Sequence, residues 1–180
     1  MLEKEKLEML FDEQGLRDYC WIQATDIEVA RWARFKCMYG CKHYGKQGAC
    51  PPGGAPSVDE IREFFNEYQD AVLFHFTTTH EKREDNHSWT RENNRRLLHL
   101  ERAVFLAGYY KAFVLFMGSC YNCRECRGDR VSCHTPHLSR PSPESFAVDV
   151  FATVRKHGYP IEVLQNDQQS LHKYGILLIQ

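Results

Sequence analysis

Two spacings of apolar residues alternate along the chain. Leu2, Leu7, Met9, Leu10 and Phe11 stand among charges and stop at Gly15, which predicts a short amphipathic helix over residues 2–15. Residues 19–23 read as a strand. Thr25 and Glu28 are spaced as a capping box, so a helix is predicted over 26–36 that delivers the chain to Cys37. Ser57 and Glu60 repeat that spacing. Val58, Ile61, Phe64, Phe65 and Tyr68 then recur at three- and four-residue steps, a second helix that begins just after Cys50-Pro51-Pro52.

Residues 71–76 form a continuous apolar run of strand type, and the polar stretch 77–87 reads as a loop. Leu97, Leu100, Val104 and Ala107 line one face of a long helix that ends near 108–110. Residues 112–117 are the next apolar run, and they lead into Gly118-Ser119-Cys120. Ser142 and Pro143 suit the start of a helix, Phe146, Val150 and Val154 share one face of it, and Gly158 stands where it should stop. Runs at 161–164 and 174–179 complete the strands.

Strands alternating with helices, and runs apolar on both faces, predict an α/β fold with a mainly parallel sheet of four to five strands covered by helices. In right-handed crossovers each helix starts at the edge where its preceding strand ends. The cysteine-rich loops before residues 57 and 143 are therefore expected at one edge of the sheet. No internal repeat is visible, and 180 residues suit a single domain over 1–180.

Composition narrows the function. A chain of 21.1 kDa buries roughly 70% of its unfolded surface, so its eight cysteines are not needed as staples. Basic and acidic residues number 23 and 24, which leaves no cationic footprint for nucleic acid. No apolar run approaches the roughly 18 residues of a membrane span. The charged opening Met1-Leu2-Glu3-Lys4-Glu5-Lys6 has no apolar core of a secretory signal. Cytoplasmic residence is expected, and with it a reducing environment in which cysteines hold metal more often than they pair.

The strongest chemical signal is Cys120-x2-Cys123-x2-Cys126-x6-Cys133. Three thiolates at intervals of three, with a fourth further on, suit the ligands of a [4Fe-4S] cluster, although the last gap is longer than the three residues of bacterial ferredoxin loops. Zinc is the alternative. Structural zinc sites more often join two Cys-x2-Cys knuckles from separate segments. A second group, Cys37-x3-Cys41-x8-Cys50, lacks a fourth thiolate. It suits a second cluster with an open or non-cysteine ligand, an exchange of ligands with the first group, or a zinc site completed by His43. The chain thus has candidate ligands for one cluster or two. The Cys-x3-Cys-x2-Cys spacing of radical-SAM enzymes is not met.

Cys20, within the predicted strand, reads as a buried small hydrophobe. His134 and His137 are candidates as ligands or as donors to cluster sulfurs, with an ordinary surface role as the plain alternative. The remaining histidines are scattered without ligand spacing. Arg124, Arg127, Arg130 and Arg140 interleave with the second half of the cysteines, where cations would raise a cluster's potential or dock an acidic partner, or simply be solvated. Glu144 is explained by its place in a first helical turn.

Taken together, Cys37-x3-Cys41, Tyr44-Gly45-Lys46, Cys50-Pro51-Pro52, the segment 107–112, Cys120-x2-Cys123-x2-Cys126, Cys133 with Pro136, Arg140-Pro141-Ser142 and Val148-Asp149-Val150 give the chain a resemblance. It resembles the uncharacterised bacterial and archaeal family of predicted metal-binding proteins, domain of unknown function 2284. The resemblance spans nearly the whole chain and implies metal binding, with iron-sulfur the expected kind. Pro143 and Glu144 depart from the methionine and small residue usual there, and Ala147 stands where a glycine is usual. These departures touch helix packing rather than the cysteines.

The leading expectation is a cytoplasmic iron-sulfur protein that stores or relays electrons to a redox partner protein. Two alternatives are an enzyme with an open-site cluster acting on a small substrate, and a structural zinc protein that recognises another protein. No Gly-x-Gly-x-x-Gly fingerprint supports a nicotinamide or flavin site.

Overall fold

The computed structural model describes residues 3–79, 83–166 and 169–180, with the side chains of 83–85 outside the description. In chain order the elements are α1 (Lys4–Glu13), β1 (Tyr19–Gln23), α2 (Arg31–Gly40), α3 (Val58–Asn66), β2 (Asp70–Thr78), α4 (Arg83–Leu106), β3 (Phe113–Leu115), α5 (Val150–Lys156) and β4 (Leu171–Leu178). Part of the stretch read as a loop over 77–87 lies outside the described residues; on its flanks β2 runs on to Thr78 and α4 already begins at Arg83.

The sheet has the order β1-β2-β4-β3, and all three pairings are antiparallel. The expected mainly parallel sheet is therefore wrong. The reason lies in what makes the strands apolar. Ala71 and Leu73 of β2 and Tyr174, Ile176 and Leu178 of β4 face one core with Ile61 and Phe65 of α3 and Val154 of α5. Val72, Phe74, Phe76 and Leu177 face the other with Leu7 and Phe11 of α1 and Leu97, Leu100 and Val104 of α4. Helices cover both faces, so both sets of alternating positions are buried, and coverage rather than strand direction produces the continuous runs. The outer strands β1 and β3 are short, which limits the unpaired edge.

Local structure departs from expectation in three places. The predicted helix over 26–36 starts late: Ala24–Asp26 form a 3-10 turn capped by Gln23 and Asp26, and α2 begins only at Arg31. Between them Val29 bridges Val148, and Glu28 donates its N–H to Thr153 Oγ1 at 3.0 Å, so the backbone there is extended. Cys37 consequently lies inside the helix instead of after it. The helix expected from Ser142 to Gly158 is broken at Ala147, whose φ of 55° is left-handed. Ser142 does accept from Ser145 N–H at 3.3 Å, but this opens only a short turn; Asp149 caps the separate α5 through Ala152 N–H at 2.9 Å. Residues 161–164 form no strand, and Val163 is 69% exposed. By contrast, Ser57 and Glu60 make the capping box that starts α3.

One buried ion pair joins the fold to the cysteine loop. Glu101 of α4, 6% exposed, accepts from Val114 N–H of β3 at 2.9 Å and from Arg140 Nε and Nη2 at 3.0 and 2.7 Å. It thus ties the edge strand to the loop's exit. Truncating one partner of such a pair strands the other. Glu101→Ala should lower unfolding free energy by about 3 kcal/mol or more in urea melts, and an effect below about 1 kcal/mol would show that solvent replaces the pair.

Candidate functional site

The cysteines occupy two long segments fastened to the sheet and to each other. Beyond β3, Met117 N–H donates to Asn94 Oδ1 at 3.1 Å, Asn94 Nδ2 donates to Ser119 O at 3.0 Å, and Phe116 N–H donates to Pro141 O at 2.8 Å. These bonds fix both ends of the segment that carries Cys120 to Cys133. The other segment leaves α2, whose last turn holds Cys37; Cys41 N–H donates to Cys37 O at 3.3 Å, and Gly54 N–H closes a turn on Cys50 O at 2.8 Å. The two segments touch directly. Arg130 N–H donates to Gly53 O at 3.3 Å, and a Cβ at Gly48 would lie 2.7 Å from Asp129 O. Their meeting comes from this loop-to-loop packing, and the crossover geometry from which it was expected is absent.

Each cysteine group lines its own cavity. Cys120, Cys123, Cys126 and Cys133 surround one of about 280 Å³. Cys37, Cys41 and Cys50 line the other, of about 270 Å³. His43, Gln47 and Tyr121 line both and form the wall between them. Tyr121 has a φ of 49°, a rare conformation for a bulky residue, and its ring stacks on His87 at 4.3 Å. All eight cysteines are free thiols.

Hydrogen-bonding groups already adjoin several sulfurs. Gly48 N–H donates to Cys126 Sγ at 3.1 Å, and Cys123 Sγ lies 4.0 Å from Thr135 Oγ1. Cys37 Sγ lies 3.8 Å from Glu144 O. Burial dominates thiol acidity. It pushes Cys50 up to about 12, with Cys37, Cys41, Glu144 and Cys120 adding to the rise. Burial also raises Cys37, against the pull of Arg34, and raises Cys120, against hydrogen bonds from Ser139 and Asn122. Arg34 donates to Pro56 O and Ser145 O, while its Nε is buried with no acceptor among the described residues.

Other candidates lie elsewhere. His134 accepts from Arg127 Nε at 2.9 Å, and neither it nor His137 lines a cysteine cavity. Arg124 does line the four-cysteine cavity, Arg130 donates to Pro136 O at 2.8 Å, and Arg140 is held by Glu101. Cys20 packs at the edge of the core and lines neither cavity; burial raises its pKa.

The sequence reading missed Tyr121, Gln47, His87 and Lys173 as parts of the site. Lys173 lines the three-cysteine cavity from the start of β4, and burial pushes it down to about 8. A lysine at the head of the apolar run 174–179 was the available signal.

A covered antiparallel sheet carrying two cysteine-lined cavities defines a cysteine-rich α/β protein. Residues 20–179 match the family model described as predicted metal-binding protein (DUF2284), and the chain belongs to that family. No curated protein and no solved structure matches it. Among the described residues, no group of three or more His, Cys, Asp or Glu side chains is gathered closely enough to hold a metal ion. The donor set nonetheless suits a soft metal: free thiols on cavity walls, an amide already on Cys126, and a buried orphaned N–H on Arg34 near Cys37.

The Lys173 environment gives a pH signature. Folding lowers its pKa from 10.5 to about 8, so between those values the unfolded chain keeps a proton that the folded chain has released. Stability of the wild type relative to Lys173→Met should be flat below about pH 8, rise up to 10.5 and level off. Urea melts across that range check it; a falling or level difference would refute the depressed pKa.

Proposed function

We propose that Cys120, Cys123, Cys126 and Cys133 hold one [4Fe-4S] cluster and that the protein stores or relays single electrons in the cytoplasm. The observation that carries this reading is the placement of those four thiols on the wall of one cavity of about 280 Å³. A single zinc ion draws its sulfurs to about 2.3 Å from one point, whereas a [4Fe-4S] cluster takes each of its four sulfurs on a separate iron. A polynuclear group spreads its ligands and uses such a space. The Gly48 N–H on Cys126 supplies a hydrogen bond to sulfur of the kind that tunes reduction potential. Exposed Arg91 and Arg124 line the cavity and suit an acidic redox partner, whose association would weaken with salt.

A second reading concerns the three-cysteine cavity. Its lining of Cys37, Cys41 and Cys50 together with Lys173 and Glu144 favours a ligand-accessible centre at which a small substrate is bound. In it, the three thiols would hold iron and leave one position to substrate, while this chain's own charged groups orient the substrate.

Anaerobic purification should give a brown protein with broad visible absorption and about four irons per occupied cluster, with an electron paramagnetic resonance signal on reduction. Cys123→Ser or Cys126→Ser should remove one cluster's iron. Cys37→Ser should remove a second set only if the other cavity is also loaded. A colourless protein with stoichiometric zinc and no redox signal overturns the cluster reading in favour of a structural zinc site.

A further inference from the structure

The three-cysteine cavity contains a cation that the sulfurs do not require to be where it is. Lys173 Nζ donates to Asn86 Oδ1 at 2.8 Å and Thr90 Oγ1 at 2.7 Å, and lies 5.6 Å from the centre of the Trp89 ring. Both acceptors are neutral. An ammonium has three N–H donors, so one remains. Among the described residues, the acidic group that influences it is Glu144, which acts at longer range than an ion pair and lines the same cavity. Among the described residues, this half-buried cation on the wall of an open cavity is held by two neutral acceptors and has no close counter-charge.

The backbone beside it is also a donor surface. A Cβ on Gly118 would stand 3.7 Å from Lys173 Nζ, so the peptide at that position lies next to the ammonium. Gly118 and Ser119 line the cavity, and their amides donate to no backbone group among the described residues. Ammonium and amides together make the chemistry of an oxyanion seat. Its charge is limited. One ammonium against the Glu144 carboxylate suits a single negative charge and disfavours a dianion such as phosphate. Its size is limited too: about 270 Å³ lies below the range of roughly 300–1,000 Å³ typical of drug-sized pockets, so the ligand has few heavy atoms.

We propose that Lys173, with the neighbouring Gly118 and Ser119 amides, anchors the carboxylate of a small monoanionic ligand whose other end faces Cys37, Cys41 and Cys50. The inference names the substrate class for the second reading above and rests on that reading of the cavity as ligand-accessible. A carboxylate seated there is held at the end of the cavity lined by Lys173 of β4 and by Met117, Gly118 and Ser119 of the segment that follows β3. The remainder of the molecule is thereby directed to the thiol wall built by α2 and the loop after it.

Glycolate is the probe, titrated calorimetrically into the anaerobically purified full chain at constant ionic strength, with iron and zinc measured on the same sample. Saturable binding of one glycolate per chain is expected, and phosphate should bind more weakly. Lys173→Gln should weaken glycolate about tenfold or more, as loss of a charge-assisted hydrogen bond does. Glu144→Gln, a change at an exposed position, should tighten glycolate severalfold and narrow its advantage over phosphate. Acetylation of Lys173 by acetic anhydride, read by mass spectrometry, should slow as glycolate is added. No saturable binding overturns the proposal, as does unchanged affinity in a folded Lys173→Gln protein. Should that variant fail to fold, unchanged glycolate affinity in Glu144→Gln together with an unprotected Lys173 overturns it. Iron without glycolate binding defeats this proposal and leaves the cluster reading standing. Glycolate binding without iron upholds the carboxylate seat and removes the cluster.

Discussion

Backbone-to-backbone contact between the two cysteine loops is the constraint from which the site's geometry follows. A side chain at Gly48 would meet Asp129 O of the other loop at 2.7 Å, and one at Gly54 would meet Gly48 O within its own loop. Only hydrogen fits at either position. With the loops that close, Gly48 N–H reaches Cys126 Sγ and Arg130 N–H reaches Gly53 O. The first of these bonds carries a donor from one loop onto a sulfur of the other. The cavities are consequently neighbours with a shared wall, and the position of each set of thiols depends on the loop that carries the other set.

Sulfur electrostatics follow from that crowding. Burial holds Cys50, Cys37 and Cys120 as neutral thiols, and each thiolate formed would raise its neighbours further. Metal binding requires thiolates and so must release protons against this resistance. The cations nearby are too few to do that work alone. Arg34 pulls Cys37 down but does not outweigh its desolvation. The ion pair of Arg140 with Glu101 commits that guanidinium to the scaffold. The charge of a bound metal is the remaining term large enough to change the balance.

Much of this site was legible in the sequence, because cysteine spacing is local and survives any error in topology. The groups 37–41–50 and 120–123–126–133 each line a cavity although the sheet is antiparallel and not parallel as expected. Strand direction was not legible: Ala71 to Phe76 reads as apolar throughout under either arrangement, once α1 and α4 cover one face and α3 and α5 the other. Ala147 shows a different limit. Phe146, Val150 and Val154 are spaced for one helix, yet the bridge of Val29 to Val148 competes for the backbone and forces a left-handed residue between them. The same bridge delays α2 to Arg31. A pairing over more than a hundred residues leaves no local trace. Lys173 and Glu144 were missed as partners for the same reason, since only the fold brings β4 to the turn after Pro143.

The two cavities differ in where their positive charge lies, and that difference separates their chemistry. At the four-cysteine cavity the lining arginines 91 and 124 are exposed, where water screens them and an approaching protein meets them first. In the three-cysteine cavity the cation is half-buried at Lys173, where screening is weak and the field acts on what is inside. Tyr121 divides these environments at a conformational cost of order 1–2 kcal/mol, held by its stack on His87 of α4. Strain retained at a wall between two cavities indicates that the wall's position is over-determined by its surroundings. His43 and Gln47 share that wall with Tyr121, so a charge arriving at the exposed cavity acts across side chains that also line the cavity of the proposed ligand.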